Sequence, residues 1–167
     1  MPSADPLDNP IWSALTGPQA EMAFGAGHAR RLAADVSPLA GLAAPTAQAF
    51  ADLAALAIPG ARFALFSPEP LDPPQEWSVV NADALDQMRC RKLSRRRWRE
   101  TCAMLPLGDA DEMLALAGLT APGPFLARTH SMGRFLGVRA DSGELAAMAG
   151  ERLRLADHVE ISAVHGT

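Results

Sequence analysis

The sequence predicts an α+β fold, on three observations. Thr46 opens a stretch with helical spacing of apolar residues, Asp109 opens another, and strand-forming runs joined by turn signals fill the last third of the chain. The elements follow in order. Near the start, Asp8, Asn9 and Pro10 form a turn signal, with Ile11, Trp12 and Leu15 as a small apolar cluster beside it, so a docked N-terminal segment is expected. Phe50, Leu53, Ala54, Leu56 and Ala57 recur at helical spacing behind the N-cap Thr46, until Pro59 and Gly60 stop the pattern. Arg62 to Phe66 and Trp77 to Val80 read as short strands around a proline-rich loop from Ser67 to Pro74.

Seven of the fifteen basic residues (Arg89, Arg91, Lys92, Arg95, Arg96, Arg97 and Arg99) fall in a segment without an apolar face, which reads as a linker. Beyond it, Met104 to Leu107 is an apolar strand leading to Asp109, a helix cap with Glu112 at the capping-box position. Met113, Leu116 and Ala117 form the buried face of that helix and Pro122 ends it. A short helix near Ala127 to Met132 comes next. Strands Arg134 to Ala140 and Leu145 to Leu155 are separated by the hairpin signal Asp141-Ser142-Gly143, and a last strand runs from Val159 to Val164. The expected organisation is an α+β unit over 1–90, a basic linker over 91–103 and a second unit over 104–167.

Composition narrows the class. With 167 residues, 49% of them hydrophobic and 20% charged, the chain can bury a core. Its net charge of −4 gives no global field favouring nucleic acid or an anionic membrane. Met1 to Pro10 has neither the basic nor the apolar region of a signal peptide, and no run is long enough to span a bilayer, so a cytoplasmic location is expected. Cys90 and Cys102 lack CxxC spacing, and His28, His130, His158 and His165 lack ligand spacing, so no metal site is expected.

Pro124-Phe125 with Arg128-Thr129, the strand Gly137-Val138-Arg139, the run Leu145 to Leu153, and Glu160 to Val164 follow one another in a telling order. Together they resemble the opening part of the GNAT superfamily of N-acetyltransferases, in a bacterial subgroup with an extra N-terminal half. Asn9-Pro10-Ile11-Trp12 and a strand at Gln87-Met88 resemble the same subgroup. The resemblance implies a mixed, mostly antiparallel sheet with flanking helices. It also implies acetyl transfer from acetyl-CoA to an amine, which needs a base for the amine, an acid for the leaving thiolate and donors that polarise the carbonyl. In that family the last strand leads into an Arg/Gln-x-x-Gly-x-Gly/Ala loop at a helix N-terminus, where amides bind the coenzyme pyrophosphate. Here the sequence reads His165-Gly166-Thr167, so a chain truncated before that loop is expected.

By position, Glu160 falls where some members place a general-base glutamate, and the backbone near Val164, His165 and Gly166 corresponds to groups that pair with the pantetheine arm. Tyrosine, often the acid, does not occur in the chain. Glu160 as a base competes with Glu160 as a solvent-facing strand residue. Glu151 and Arg152 shape an acceptor pocket or form a cross-strand ion pair; Phe125 and Arg128 border the acceptor groove or pack a turn. Two other function classes stay open. One is a catalytically inactive relative acting through association, as a homo-oligomer or with a complementary chain along an exposed last strand. The other is a nucleic-acid-binding module using the arginine-rich segment with Trp98.

Overall fold

The computed structural model describes residues 5–92, 102–106, 109–120 and 123–166. Asn9 and Pro10 start a helix where a docked segment was expected, because proline at the first position fixes φ and its missing N–H costs no helical bond. This helix, α1 (Pro10–Leu15), buries Pro10, Ile11, Ala14 and Leu15. Asn9 does not cap it with its side chain; its amide instead donates to the Leu42 carbonyl at 2.7 Å. α1 lies across a two-stranded antiparallel ribbon, β1 (Ala29–Arg31) and β2 (Ala40–Leu42), that sequence periodicity did not reveal. The crossing is close enough that a Cβ on Gly41 would stand 2.6 Å from the Trp12 backbone nitrogen.

The helix expected after Thr46 is present as α2 (Ala47–Ala54), with the Thr46 hydroxyl accepting from the Ala49 amide at 3.2 Å. Its residues Ala49, Phe50 and Leu53 are buried on Ala29, Ala40 and Leu42 of the ribbon. The strand expected over Arg62–Phe66 is reduced to one bridge, Leu39 with Ala64. Alternation there has another cause, since Phe63 and Leu65 pack with the α2 cluster while Ala64 and Phe66 pack with α1. Trp77–Val80 is likewise not a strand: Trp77 packs on the rings of Phe50 and Phe63 at 5.9 and 6.1 Å, and Val79 and Val80 are exposed. Gln87 and Met88 also lie outside regular structure, with Met88 93% exposed. Of the basic segment, Arg89, Arg91 and Lys92 are exposed, and Arg95, Arg96, Arg97, Trp98 and Arg99 lie outside the described residues.

The second half is a four-stranded antiparallel sheet in the order β3 (Cys102–Met104), β4 (Phe135–Arg139), β5 (Leu145–Arg154) and β6 (Val159–Gly166). β3 begins two residues earlier than its expected start at Met104, and the ladder ends because Leu105 donates the last bond to Phe135 before Pro106, which has no N–H. Leu107 and Pro122 lie outside the described residues. Helix α3 (Ala110–Thr120) buries the expected Met113, Leu116 and Ala117. The carboxylates of Asp109 and Glu112 both bind Arg139 at the end of β4, at 2.8 and 2.6 Å. The short helix near 127–132 is a single 3-10 turn, Thr129–Met132. The hairpin turn falls where expected, with Gly143 at φ 91.

The two halves share a core. Ile11, Leu15, Leu32, Val36 and Leu39 pack with Met132, Leu153 and Leu155. Burying each large aliphatic side chain contributes roughly 1.5–3 kcal/mol. A polar contact fixes how this core is aligned. β4 begins opposite Gly150, so its ladder with β5 ends before Arg152–Arg154. The side-chain amide of Gln19, only 3% exposed, takes the vacant place of a peptide group: it donates to the Met132 and Arg152 carbonyls and accepts from the Arg154 amide, all at 3.0–3.1 Å. Replacement of Gln19 by Ala leaves those three backbone groups without their partner, and a stability loss of about 1–3 kcal/mol is expected in urea unfolding. Gln19→Glu, which sets a carboxylate against two carbonyls, is expected to lose more.

Candidate active site

The sheet register lays out the site. Phe135 pairs with Gly150 and Gly150 with Ser162, so these three residues stand side by side across β4, β5 and β6 on one face. Gly150 is required there, since a Cβ would lie 2.2 Å from the Phe135 ring. Phe125, from the loop after α3, meets Phe135 edge-on at 5.8 Å and 86°. Between the loop and the sheet lies a half-open cleft of about 60 Å³, lined by Pro124, Phe125, Met132 and Phe135 and by Gly150–Arg152 with Ser162 and Ala163.

The β5–β6 ladder breaks at this cleft. Between the pairs Gly150–Ser162 and Met148–His165, two residues of β6, Ala163 and Val164, oppose the single Ala149. This is a β-bulge, and Ala163 sits at φ 51, in the left-handed region where a side chain costs about 1–2 kcal/mol. A second irregularity follows, with Arg152 and Leu153 of β5 opposing Glu160.

The structure brings Glu160 to the cleft side of the sheet and pairs it with Arg152. Arg152 Nε donates to Glu160 Oε2 at 3.0 Å and Nη2 donates to Oε1, a two-point fork across the strands. The same guanidinium lies over the Phe66 ring, 5.7 Å from its centroid. Arg128 is not part of the cleft lining: it pairs with Asp35 at 3.3 Å, and Thr129 beside it donates to the Val36 carbonyl at 2.6 Å. Val164 and Gly166 lie on β6, whose only neighbour among the described residues is β5; Val164 is 70% exposed. His165 pairs through its backbone with Met148, and its side chain lies outside the described part. Glu160, Val164, His165 and Gly166 thus share one strand at the sheet edge.

Glu151 and Arg152 do not pair with each other. Glu151, 7% exposed, lines the cleft but turns its carboxylate to other partners: it accepts from the Arg134 Nε and Nη2 at 2.8 and 2.6 Å and from the Arg154 Nη2 at 2.7 Å. The Arg134 guanidinium, opposed by burial and aided by Arg154, holds the Glu151 carboxyl down at about 2. Gly150, Ser162 and the Ala163 bulge escaped sequence reading. A glycine inside a strand run is a signal for close approach, which could have found Gly150; nothing in the residue types marks the bulge.

Among the described residues no group of three or more His, Cys, Asp or Glu could hold a metal ion, and no helix is long and apolar enough to cross a membrane. His28 bonds Asp52 at 3.1 Å, and the Nδ1 atoms of His130 and His158 are buried without a hydrogen-bond partner.

Glu151 titrates near 2 in the folded chain against 4.5 for an ordinary glutamate. Because the folded value is the lower one, its stabilising contribution is complete above about pH 4.5 and is lost as pH falls towards 2. Glu151→Gln is expected to lose roughly 1.5–3 kcal/mol at neutral pH. Its stability should approach that of the parent chain over that acid window in denaturant unfolding.

No family model matches the chain, and no curated protein matches it. Among solved structures, it is similar to a protein of Novosphingobium aromaticivorans DSM 12444 assigned as an acetyltransferase of the GNAT family. The two are 36% identical, with a TM-score of 0.79, and the alignment covers 98% of this chain and 72% of that one. The α+β architecture, the antiparallel sheet and this identity over nearly the whole chain agree: the chain belongs to the GNAT family of acetyltransferases.

Proposed function

We propose that the chain takes part in acetyl transfer from acetyl-CoA to an amine, with the cleft beside the β6 bulge as the reaction site. The observation that carries this reading is the coincidence of three features at one sheet edge. These are the bulge at Ala163, an outer edge along Val164–Gly166 with no strand neighbour among the described residues, and the carboxylate of Glu160 on the cleft side. A strand edge offers alternating N–H and C=O groups, which suit the amide-bearing pantetheine arm of the coenzyme.

In this reading an ammonium substrate gives one proton to Glu160, whose oxygens keep lone pairs beyond those used by Arg152. The amine nitrogen then attacks the thioester carbon, the C–S bond breaks, and nitrogen loses its second proton as the coenzyme thiolate is protonated. Arg152 holds Glu160 in place. Phe125 and Phe135 shield the reacting groups from water.

Calorimetry with acetyl-CoA on the purified chain, alongside a thermal-shift scan, tests the donor half. Saturable binding and a raised Tm are expected, since a ligand that binds only the folded state stabilises it. For the base, Glu160→Gln is expected to lower kcat by roughly 10²–10⁴ with acetyl-CoA affinity retained. A second reading draws on the exposed Ile161 (60%) and Val164 on the same open strand, which suit pairing with another chain. A folded chain that ignores millimolar acetyl-CoA but doubles in mass on concentration, measured by sedimentation, would support association instead.

A further inference from the structure

Resting on the acetyl-transfer reading, we propose that the acceptor is a zwitterion: an α-amino acid with an apolar side chain, its carboxylate held by Arg152 and Ser162 and its amine presented to Glu160. The cleft offers charge of both signs in one place. Arg152 lines the cleft and forms a neutral pair with Glu160 beside it, while the carboxylate of Glu151, which also lines the cleft, is taken up by Arg134 and Arg154. A neutral, adjacent plus and minus pair is the complement of an amino acid rather than of a polyamine, which brings two cations to one carboxylate.

Arg152 is equipped for a carboxylate. Its Nε and Nη2 are occupied by Glu160, but Nη1 makes no hydrogen bond among the described residues. The fork and the Phe66 ring together fix the guanidinium plane, so little rotamer freedom is left to lose on binding. Ser162 stands on the same face of β6, paired with Gly150, two residues along β5 from Arg152, and its hydroxyl likewise has no partner among the described residues. A carboxylate accepts from both. The ammonium of the same molecule, one carbon away, then reaches the Glu160 side of the pair.

Elsewhere the cleft lining includes Pro124, Phe125, Met132 and Phe135, which form an apolar wall, with Thr129 and Glu151 whose polar groups already have partners. A volume of about 60 Å³, open to solvent on one side, admits the α-amino acid head and leaves a longer side chain to lie along the aromatic wall. A simple amine would leave Nη1 and the serine hydroxyl unpaired in the cleft, and a site built to hydrogen-bond a group discriminates against analogues lacking it.

The test uses L-phenylalanine and L-phenylalaninamide as paired probes, which differ in the carboxylate alone, with coenzyme thiol release as the readout. A kcat/KM at least about tenfold higher for phenylalanine is expected. Arg152→Lys, which keeps a cation beside Glu160 but loses the planar fork, should bring the ratio of the two substrates close to one; Ser162→Ala should lower it less. Circular dichroism on both variants establishes that they fold. Transfer to the amide as fast as to phenylalanine overturns the zwitterion inference and leaves acetyl transfer standing. If neither probe is acetylated, calorimetric titration decides: binding of phenylalanine in preference to its amide, lost in Arg152→Lys, supports the zwitterion site, and titration of the same folded chain with acetyl-CoA, showing no binding, then overturns the transfer reading separately. Absence of binding to the folded chain overturns the inference.

Discussion

β5 runs on past the start of β4, and the peptide groups of Arg152–Arg154 therefore need partners that no strand of the sheet supplies on that side. A buried, unpaired backbone group is costly, so whatever fills that gap fixes what can pack there. The Gln19 side chain fills it, in the manner of a single peptide of an added strand. Because Gln19 follows α1 closely, this contact sets where Ile11 and Leu15 meet Leu153 and Leu155. The N-terminal half is thereby registered on the sheet to within a hydrogen bond. Apolar packing alone would tolerate sliding, since it has little directional preference; the amide does not.

The same stretch of β5 separates two electrostatic tasks by strand alternation. Glu151 is held by Arg134 and Arg154, and these two arginines tie the start of β4 to the end of β5. Arg152 faces the cleft and meets Glu160 and the Phe66 ring. One residue of displacement along a strand exchanges the faces, so an insertion before Glu151 would turn Arg152 away from Glu160 and Phe66. The bulges of the β5–β6 pair act on the same strands, turning β6 locally at Ala163 beside the cleft.

Elements with strong local causes were legible in the sequence. Thr46 and the spacing of Phe50 and Leu53 specify α2 without help, as Met113, Leu116 and Ala117 specify the buried side of α3 and Asp141-Ser142-Gly143 the hairpin. Where alternation came from packing between two clusters, as at Phe63–Phe66, the same pattern misled, because a strand also requires a neighbouring backbone. Trp77–Val80 failed for that reason too. In reverse, β1 and β2 are runs of Ala, Gly, Arg and Leu that no propensity favours, and they exist because α1 and α2 cover them.

By itself the sequence determined the α+β class, the order of elements from β3 to β6 and the likeness to GNAT acetyltransferases, and it put Glu160 and Val164 on one strand. These follow from short-range periodicity, turn chemistry and residue identity, all of which are written locally. Only the tertiary structure decided that Glu160 is forked to Arg152, that Glu151 is held by Arg134 and Arg154, and that Gly150 and Ser162 complete the cleft. Those facts depend on register and on a bulge, which arise when strands more than a turn apart in sequence are matched peptide by peptide, and a single chain of letters does not state that match.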